Sequence, residues 1–147
     1  KWPSKFYAEV AKKYIDDGWN ILCFGSQNDR ETGKEIETLN DLASEDSFFN
    51  LVGETSLEDA IDLLALCKKV VTNDSGLMHV AAAVGRPIVA LYGPSSPDYT
   101  PPLTSKKIII RKGSGYEKIR RGDEDDGYHR GLMSIKPAEV INALDTL

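Results

Sequence analysis

The sequence predicts an α/β fold in which a Rossmann-like, mostly parallel sheet is flanked by helices. Short apolar runs of strand length alternate with segments whose apolar residues recur at helical spacing. Residues 69–97 combine a strand, a polar turn, an alanine-rich helix and a second strand, which is the pattern of a βαβ unit. Because ligands of such folds bind at the carboxyl ends of the strands, the polar turns at 25–29, 73–76 and 93–96 are the candidate sites.

The first part of the chain is predicted to form two helices and two strands. Pro3 suits the first position of a helix that ends at Gly18, and residues 21–24 form an apolar strand. A helix at 32–43 and a short strand at 48–52 follow. The residues predicted to face inward from the second helix are Ile36, Leu39 and Ala43.

The remaining elements are predicted from capping signals and periodicity. Thr55 and Glu58 have the T-x-x-E form of a capping box, and the helix that follows carries Leu57, Ala60, Ile61 and Leu64 at helical spacing. The other predicted elements are a strand at 70–72, a helix at 77–84, strands at 88–92 and 107–111, an irregular region at 113–131 and a helix that begins at Pro137.

Length and composition favour one globular domain over residues 1–147. Hydrophobic residues make up 41% and charged residues 28% of the chain, and the formal net charge is −5. No apolar run approaches the roughly 20 residues that span a bilayer, so we expect a cytoplasmic protein. The acidic balance disfavours nucleic acid as a partner. Cys23 and Cys67 lack CxxC spacing and are predicted to be core thiols, and we expect no metal and no cofactor.

The turn at 73–76 has the chemistry of an anion site. Asp74 or Ser75 can cap the following helix, and Gly76 lacks the Cβ that would keep a ligand away from the backbone. The unpaired N–H groups of the first helical turn favour a phosphate group, and His79 can add a ring N–H. A carboxylate does not suit a site for anions alone, so Asp74 is predicted to accept hydrogen bonds from a sugar. A capped helix with an incidental histidine is the alternative.

Three motifs resemble the ADP-heptose:lipopolysaccharide heptosyltransferases, and most of all the type II members of that family. They read Asn-Asp-Ser-Gly-Leu-Met-His at 73–79, Gly-Arg-Pro at 85–87 and Leu-Tyr-Gly-Pro-Ser-Ser-Pro at 91–97. Lys-Trp-Pro at 1–3 and Gly-Tyr-His at 127–129 agree with the same family. The resemblance covers essentially the whole chain.

The resemblance implies a glycosyltransferase-B architecture, in which two Rossmann-like domains face each other across a cleft. This chain is similar to the C-terminal domain, which holds the ADP-heptose donor. Carried over onto this sequence, Asp74 accepts from heptose hydroxyls and His79 donates to the diphosphate. The backbone of Ser75, Gly76 and Leu77 cradles that diphosphate.

The resemblance also implies which residues lie near the other end of the donor and which parts of the enzyme lie outside this chain. Ser26 and Gln27 are expected near the adenosine or the sugar. The implied reaction is an inverting transfer of heptose to a hydroxyl of the lipid-linked inner core. Its general base is a carboxylate of the N-terminal domain, so we expect no catalytic residue here. The leading strand and a phosphate-binding lysine are expected upstream of Lys1, and the full-length enzyme is expected to associate with the inner face of the inner membrane.

Other features keep two interpretations each. Residues 104–121 hold seven basic side chains and one acidic one, so this segment carries +6 while the rest of the chain carries −11. It either faces the phosphate-bearing acceptor or forms a solvated loop. The consecutive acidic residues at 123–126 lack the alternating spacing of a calcium loop, which favours a solvated turn. Tyr128 and His129 either pack against the N-terminal domain or act as core residues, and the resemblance favours a structural role in anchoring the last helix.

Two functions of other kinds stay open on the sequence. A non-catalytic α/β module can bind a nucleotide, or dock a protein on its acidic surface. Another nucleotide-sugar enzyme of the same architecture, such as an epimerase, would prefer a uridine nucleotide to an adenine one.

Overall fold

The computed structural model describes residues 1–113 and 127–147. They form two compact units, one of Ser4–Ala60 and one that joins Lys1–Pro3 to Ile61–Leu147. Every strand pair among these residues is parallel, as the sequence predicts. None of the helices in the described ranges has both the length and the apolar character needed to cross a membrane. A single domain over residues 1–147 stays a prediction.

The Ser4–Ala60 unit packs two helices on a pair of short strands. Helix α1 is Ser4–Asp16, strand β1 is Ile21–Cys23, helix α2 is Arg30–Thr38 and strand β2 is Phe48–Asn50. Strands β1 and β2 pair with Ile21 opposite Phe48. The buried core of this unit consists of Ala8, Ala11, Ile36, Leu42 and Phe48.

Helix α1 ends at Asp16, just before the glycine at which the sequence predicts its end. Gly18 has a φ of +90°, a backbone conformation that residues with a Cβ rarely adopt. This conformation turns the chain so that the N–H of Trp19 donates to the carbonyl oxygen of Tyr14 at 2.9 Å. The two aromatic rings then meet edge to face, with centroids 5.6 Å apart.

The predicted extent of the second helix was wrong. Helix α2 ends at Thr38, and a 3₁₀ segment, Leu39–Ser44, replaces its last turn. Asn40 and Asp41 adopt left-handed conformations, with φ of 53° and 56°, which rotates the chain that follows. The rotation buries Leu42 completely and leaves Ala43 exposed, whereas helical continuation would have turned Ala43 inward.

The predicted capping box was wrong by one residue. Helix α3 is Leu57–Leu66. The N–H of Ser56 donates to Asp59 Oδ2 at 3.2 Å, and the N–H of Asp59 donates to Ser56 Oγ at 3.1 Å. The reciprocal pair is therefore Ser56 with Asp59 rather than Thr55 with Glu58. Among the apolar residues of α3, Ala60 and Leu64 are buried, whereas Leu57 is 63% exposed and Ile61 37% exposed.

The second unit is built on a three-stranded parallel sheet in the order β3-β4-β5. Strand β3 is Val70–Asn73, β4 is Ile88–Tyr92 and β5 is Lys107–Arg111. All five residues of β4 are buried, as expected for an apolar strand paired on both edges. The helices of this unit that follow β3 are α4 (Gly76–Ala83), α5 (Arg130–Met133) and α6 (Pro137–Thr146).

The start of the chain is anchored to this second unit through Trp2. The indole is fully buried, and its N–H donates to the carbonyl oxygen of Ile135 at 2.9 Å. The backbone N–H of Trp2 donates to Asn73 Oδ1 at 3.2 Å. Residues 1–3 therefore contact the last residue of β3, immediately before the candidate site.

Candidate functional site

The candidate site is the turn that joins β3 to α4. Ser75 is the N-cap of α4, with an extended backbone (φ −156°, ψ 168°), and its hydroxyl accepts from the N–H of Met78 at 3.4 Å. The sequence left the cap open between Asp74 and Ser75. Because Ser75 takes this role, the carboxylate of Asp74 is available for other contacts.

Three backbone donors of this turn are unused. The N–H groups of Ser75, Gly76 and Leu77 make no hydrogen bond to any residue within 1–113 or 127–147. The first N–H groups of a helix lack intrahelical acceptors, and the helix dipole places roughly half a positive charge there. Ser75 and Gly76 are exposed, so an anion can reach this end of α4 from solvent.

Gly76 is not required by the fold. A Cβ built on Gly76 would meet no described atom within 4 Å beyond its chain neighbours and the backbone of its own helix, and the φ of Gly76 is not positive. At Gly33, by contrast, an added Cβ would lie 2.8 Å from the side chain of Val52. The missing side chain at Gly76 therefore matters for what approaches from outside rather than for internal packing.

The hydroxyl of Ser75 already has partners within the turn. Thr72 Oγ1 lies 2.9 Å from the carbonyl oxygen of Asn73, to which it donates, and 3.3 Å from Ser75 Oγ. Since a hydroxyl carries one proton, the contact between the two hydroxyls is completed by the proton of Ser75. The backbone N–H groups are thus the unused donors of the turn, and the Ser75 hydroxyl is not.

A residue of the loop after β4, Thr100, binds the carboxylate of Asp74. Thr100 Oγ1 donates to Asp74 Oδ2 at 2.9 Å. No residue of the described ranges donates to the second oxygen, Oδ1. Asp74 is only half-buried, so this oxygen can accept a hydrogen bond from a ligand hydroxyl.

Tyr92, the last residue of β4, binds the backbone of the loop that carries Thr100. Its side chain is fully buried, and its hydroxyl donates to the carbonyl oxygen of Thr100 at 2.5 Å and lies 3.5 Å from Met78 Sδ. Burial, and secondarily the negative charge of Asp74, raises the pKa of Tyr92 to about 12. The phenol therefore stays protonated at neutral pH and remains a donor.

The turn at 93–96 is predicted from the sequence, whereas the contribution of Thr100 is not. Ser96 is buried, and its carbonyl oxygen accepts from the N–H groups of Tyr99 and Thr100 at 3.1 and 3.3 Å. Its hydroxyl also lies 3.2 Å from both Asp98 Oδ2 and the N–H of Asp98. These bonds fold the loop back toward the end of β3. No spacing rule links Thr100 to Asp74, and the only signal was that both follow neighbouring strands.

The turn after β1 is built differently. Asp29 Oδ2 accepts from both the N–H of Ser26, at 2.9 Å, and its hydroxyl, at 2.8 Å. Ser26 and Gln27 are exposed and belong to the Ser4–Ala60 unit. The other predicted site residues, from Asp74 to His79, belong to the second unit.

The two histidines occupy different settings. His79 is exposed on α4, one turn after Gly76. His129 caps α5, because its Nδ1 accepts from the N–H of Gly131 at 3.1 Å. A Cβ added at Gly93 would lie 3.2 Å from that Nδ1. This contact gives His129 a structural role at α5, and its predicted role in anchoring the last helix, α6, stays a prediction.

Two lysines of the basic segment at 104–121 have structural partners, and Cys23 has the surroundings of a core thiol. Lys107 donates to the carbonyl oxygen of Pro102 at 2.8 Å, and Lys112 pairs with Glu139 at 2.7 Å. Burial raises the pKa of Cys23 to about 11, and Glu37 adds to the shift, as expected for an unreactive thiol. The rest of the basic segment, from residue 114 onward, and the acidic run at 123–126 lie outside the described residues.

Comparison with known proteins identifies the family. Residues 1–129 match glycosyltransferase family 9 (heptosyltransferase). The chain belongs to this family. It is 52% identical over 147 residues to lipopolysaccharide heptosyltransferase 2 of Escherichia coli K12, a match that covers all of this chain and 42% of that protein. It is 47% identical over 148 residues to lipooligosaccharide heptosyltransferase 2 of Haemophilus influenzae, covering all of this chain and 43% of that protein.

Solved structures of family members have the same fold. The structure of E. coli ADP-heptose lipopolysaccharide heptosyltransferase II matches 99% of this chain with a TM-score of 0.89 and 48% identity, and the match covers 41% of that protein. A family 9 glycosyltransferase from Veillonella parvula matches 99% of this chain and 41% of that protein, with a TM-score of 0.83 and 31% identity.

These comparisons confirm the α/β class, the glycosyltransferase-B architecture and the family resemblance, including its type II character. They do not favour a non-catalytic module or an epimerase. The chain spans less than half the length of these relatives.

Proposed function

We propose that this chain is the donor-binding part of a heptosyltransferase that moves heptose from ADP-heptose to the lipopolysaccharide inner core. Family membership supports the class of reaction. The observation that carries the donor site is the set of unused N–H groups at Ser75, Gly76 and Leu77, beside a carboxylate that is already held away from them.

In this proposal each predicted residue has a separate role. The three N–H groups bind the diphosphate, and His79 donates to it from the next turn of α4. Asp74 accepts from hydroxyls of the heptose through Oδ1. Negative charge of the donor then lies at the positive end of α4, while the carboxylate contacts neutral hydroxyls rather than phosphate oxygens.

Ser26 and Gln27 are proposed to lie near the adenosine or the sugar. Ser26 presents an exposed turn whose N–H and hydroxyl are engaged by Asp29. Gln27 is exposed and carries an amide that can both donate and accept, which suits a ribose or an adenine edge.

The reaction requires help that this chain does not supply. The bond from the anomeric carbon of heptose to the diphosphate breaks, a bond to an acceptor hydroxyl forms, and ADP leaves. The unused N–H groups stabilise the negative charge that develops on the leaving diphosphate. The proton of the acceptor hydroxyl goes to a base outside this chain. The full-length enzyme works in the cytoplasm, at the inner face of the inner membrane.

Isothermal titration of the 147-residue chain with ADP-heptose, ADP and UDP tests this proposal. We expect binding of ADP-heptose and ADP, with UDP clearly weaker. Equal or stronger binding of UDP would favour an epimerase-like enzyme. Absence of binding by all three at millimolar concentration would reject the donor site in this chain.

A further inference from the structure

The loop after β4 brings a hydroxyl to the carboxylate of the donor site from 26 residues away. Thr100 Oγ1 lies 2.9 Å from Asp74 Oδ2, and also 3.4 Å from the carbonyl oxygen of Ser96. The shorter contact is to a charged acceptor, and hydrogen bonds to carboxylates are the stronger class. The single proton of Thr100 is therefore directed at Asp74.

Thr100 is itself fixed on both sides of its backbone. Its carbonyl oxygen accepts from the buried phenol of Tyr92 at 2.5 Å, and its N–H donates to the carbonyl oxygen of buried Ser96 at 3.3 Å. Tyr92 is the last residue of the central strand of the sheet. The hydroxyl that reaches Asp74 is thus supported by the sheet, although the side chain of Thr100 is exposed.

A carboxylate next to the start of a helix has a competing acceptor role. It can turn onto the unused N–H groups of the first helical turn and cap them, which is favourable by both hydrogen bonding and the helix dipole. Asp29 makes a related contact at the turn after β1, where its carboxylate accepts from the N–H of the capping residue Ser26. A carboxylate in that position occupies the place where a phosphate would bind.

We propose that Thr100 is a positioning residue of the donor site, which holds the Asp74 carboxylate away from the N–H groups of α4 and presents Oδ1 to the sugar. The inference rests on the function proposed above and names the residue that keeps the two halves of that site separate. The hydroxyl of Thr100 does not itself contact the donor in this arrangement.

Three variants of the 147-residue chain test the proposal. Thr100→Val removes the hydroxyl and keeps the shape of the side chain, and Thr100→Ser keeps the hydroxyl. Thr146→Val is the matched control, because the Thr146 hydroxyl donates within the last turn of α6, to the carbonyl oxygen of Ala143, and has no other partner among the described residues. Affinities for ADP-heptose and for ADP are measured by calorimetry, and thermal unfolding reports whether each variant folds.

We expect Thr100→Val to weaken ADP-heptose about three- to tenfold, the value of one hydrogen bond, and to weaken ADP less. Thr100→Ser and Thr146→Val should behave as the unsubstituted chain. In ligand-free Thr100→Val, the amide resonances of Gly76 and Leu77 should move, because the released carboxylate caps them. The additional change Asp74→Ala should reverse that movement, because alanine has no side-chain acceptor.

The outcomes separate this inference from the proposed function. If the unsubstituted chain binds neither ligand, the proposed function fails and the inference fails with it. If it binds both and Thr100→Val leaves both affinities and the two amide resonances unchanged, the inference alone is overturned. Equal losses for the two ligands without amide movement would assign Thr100 a purely structural role and overturn the inference as well.

Discussion

The turns after β1 and β3 have similar composition and opposite chemistry. Each joins a parallel strand to helical structure and contains a serine, an aspartate and a glycine. At the first turn Asp29 accepts from Ser26, so the carboxylate lies on the start of the following 3₁₀ turn. At the second turn the carboxylate of Asp74 bonds to Thr100, and no residue of the described ranges accepts from the N–H groups at the start of α4.

The position of the aspartate relative to the serine explains the difference. Asp29 lies three residues after Ser26, the place from which a side chain reaches back to a capping residue. The residue three after Ser75 is Met78, which cannot do this, and Asp74 precedes the cap. A capping serine without an acid three residues later therefore keeps its own N–H available for an anion, and this pattern can be read from a sequence.

The largest expected effect comes from placing a carboxylate at the second turn. Gly76→Asp should weaken ADP at least about a hundredfold, because a negative charge a few ångströms from the diphosphate costs several kcal/mol. The free energy of unfolding should stay the same or rise slightly, since an acid is favourable at a helix start and the position is open. Calorimetry and thermal unfolding measure the two quantities.

Gly76→Ala is the matched control for that variant. Its methyl group also meets no described atom within 4 Å beyond its chain neighbours and the backbone of its own helix, but it adds no charge, so its effect on ADP should be much smaller. Wild-type affinity in Gly76→Asp would show that the N–H groups of this turn do not bind the diphosphate.

The next effect separates the sugar from the diphosphate. Asp74→Asn should weaken ADP-heptose about tenfold, because hydrogen bonds to a charged acceptor are replaced by weaker ones. The affinity for ADP should be retained or increased, since a negative charge near the diphosphate is removed. Equal losses for both ligands in parallel titrations would contradict the separate roles of Asp74 and the N–H groups.

A smaller effect concerns the stability of the two turns. Asp29→Asn should lower the free energy of unfolding by about 1 kcal/mol, because the carboxylate oxygen accepts two hydrogen bonds from Ser26. Asp74→Asn should cost less than about 0.5 kcal/mol, because one exposed bond from Thr100 is weakened. Urea unfolding compares them, and the reverse order would show that the second turn, not the first, is built for stability.

The smallest effect is a dependence on alkaline pH. The pKa of Tyr92 is raised in the folded chain from its ordinary value of 10.0 to about 12, so the folded state favours the protonated phenol. This stabilisation is complete below pH 10 and is lost as the pH rises through 12. At about pH 10.5 the loss should stay below about 1 kcal/mol.

Tyr92→Phe provides the comparison for that pH dependence. It should start less stable at neutral pH, because the bond to Thr100 is gone, but lose less stability between neutral and alkaline pH than the unsubstituted chain. Parallel urea unfolding across this range measures the difference. Identical slopes would mean that the phenol of Tyr92 does not titrate differently in the folded chain.

Local chemistry made the second turn predictable from the sequence. The strand β3, the capping region at Asp74 and Ser75 and the open position at Gly76 depend on residues that are neighbours along the chain. The same is true of the end of α1 at Gly18, where a glycine permits the required positive φ.

The sequence does not predict structural features that depend on contacts between residues far apart in the chain or on a choice between overlapping local patterns. The left-handed pair Asn40 and Asp41 ends α2 early, although the helical periodicity continues beyond it, and the rotation buries Leu42. The capping box moved by one residue because two overlapping pairs, Thr55 with Glu58 and Ser56 with Asp59, both fit the pattern. Thr100 reaches Asp74 only because Tyr92 and Ser96 fold the loop, which no local rule describes.

The central claim is that the unused N–H groups at the start of α4 bind the diphosphate of the donor. Titration of the ¹⁵N-labelled chain with ADP, followed by the amide resonances of Ser75, Gly76 and Leu77, tests it most directly. We predict saturable shifts of these three resonances and of the His79 ring, with those of the Ser56–Asp59 cap unchanged. Unchanged resonances at 75–77 at millimolar ADP would contradict it.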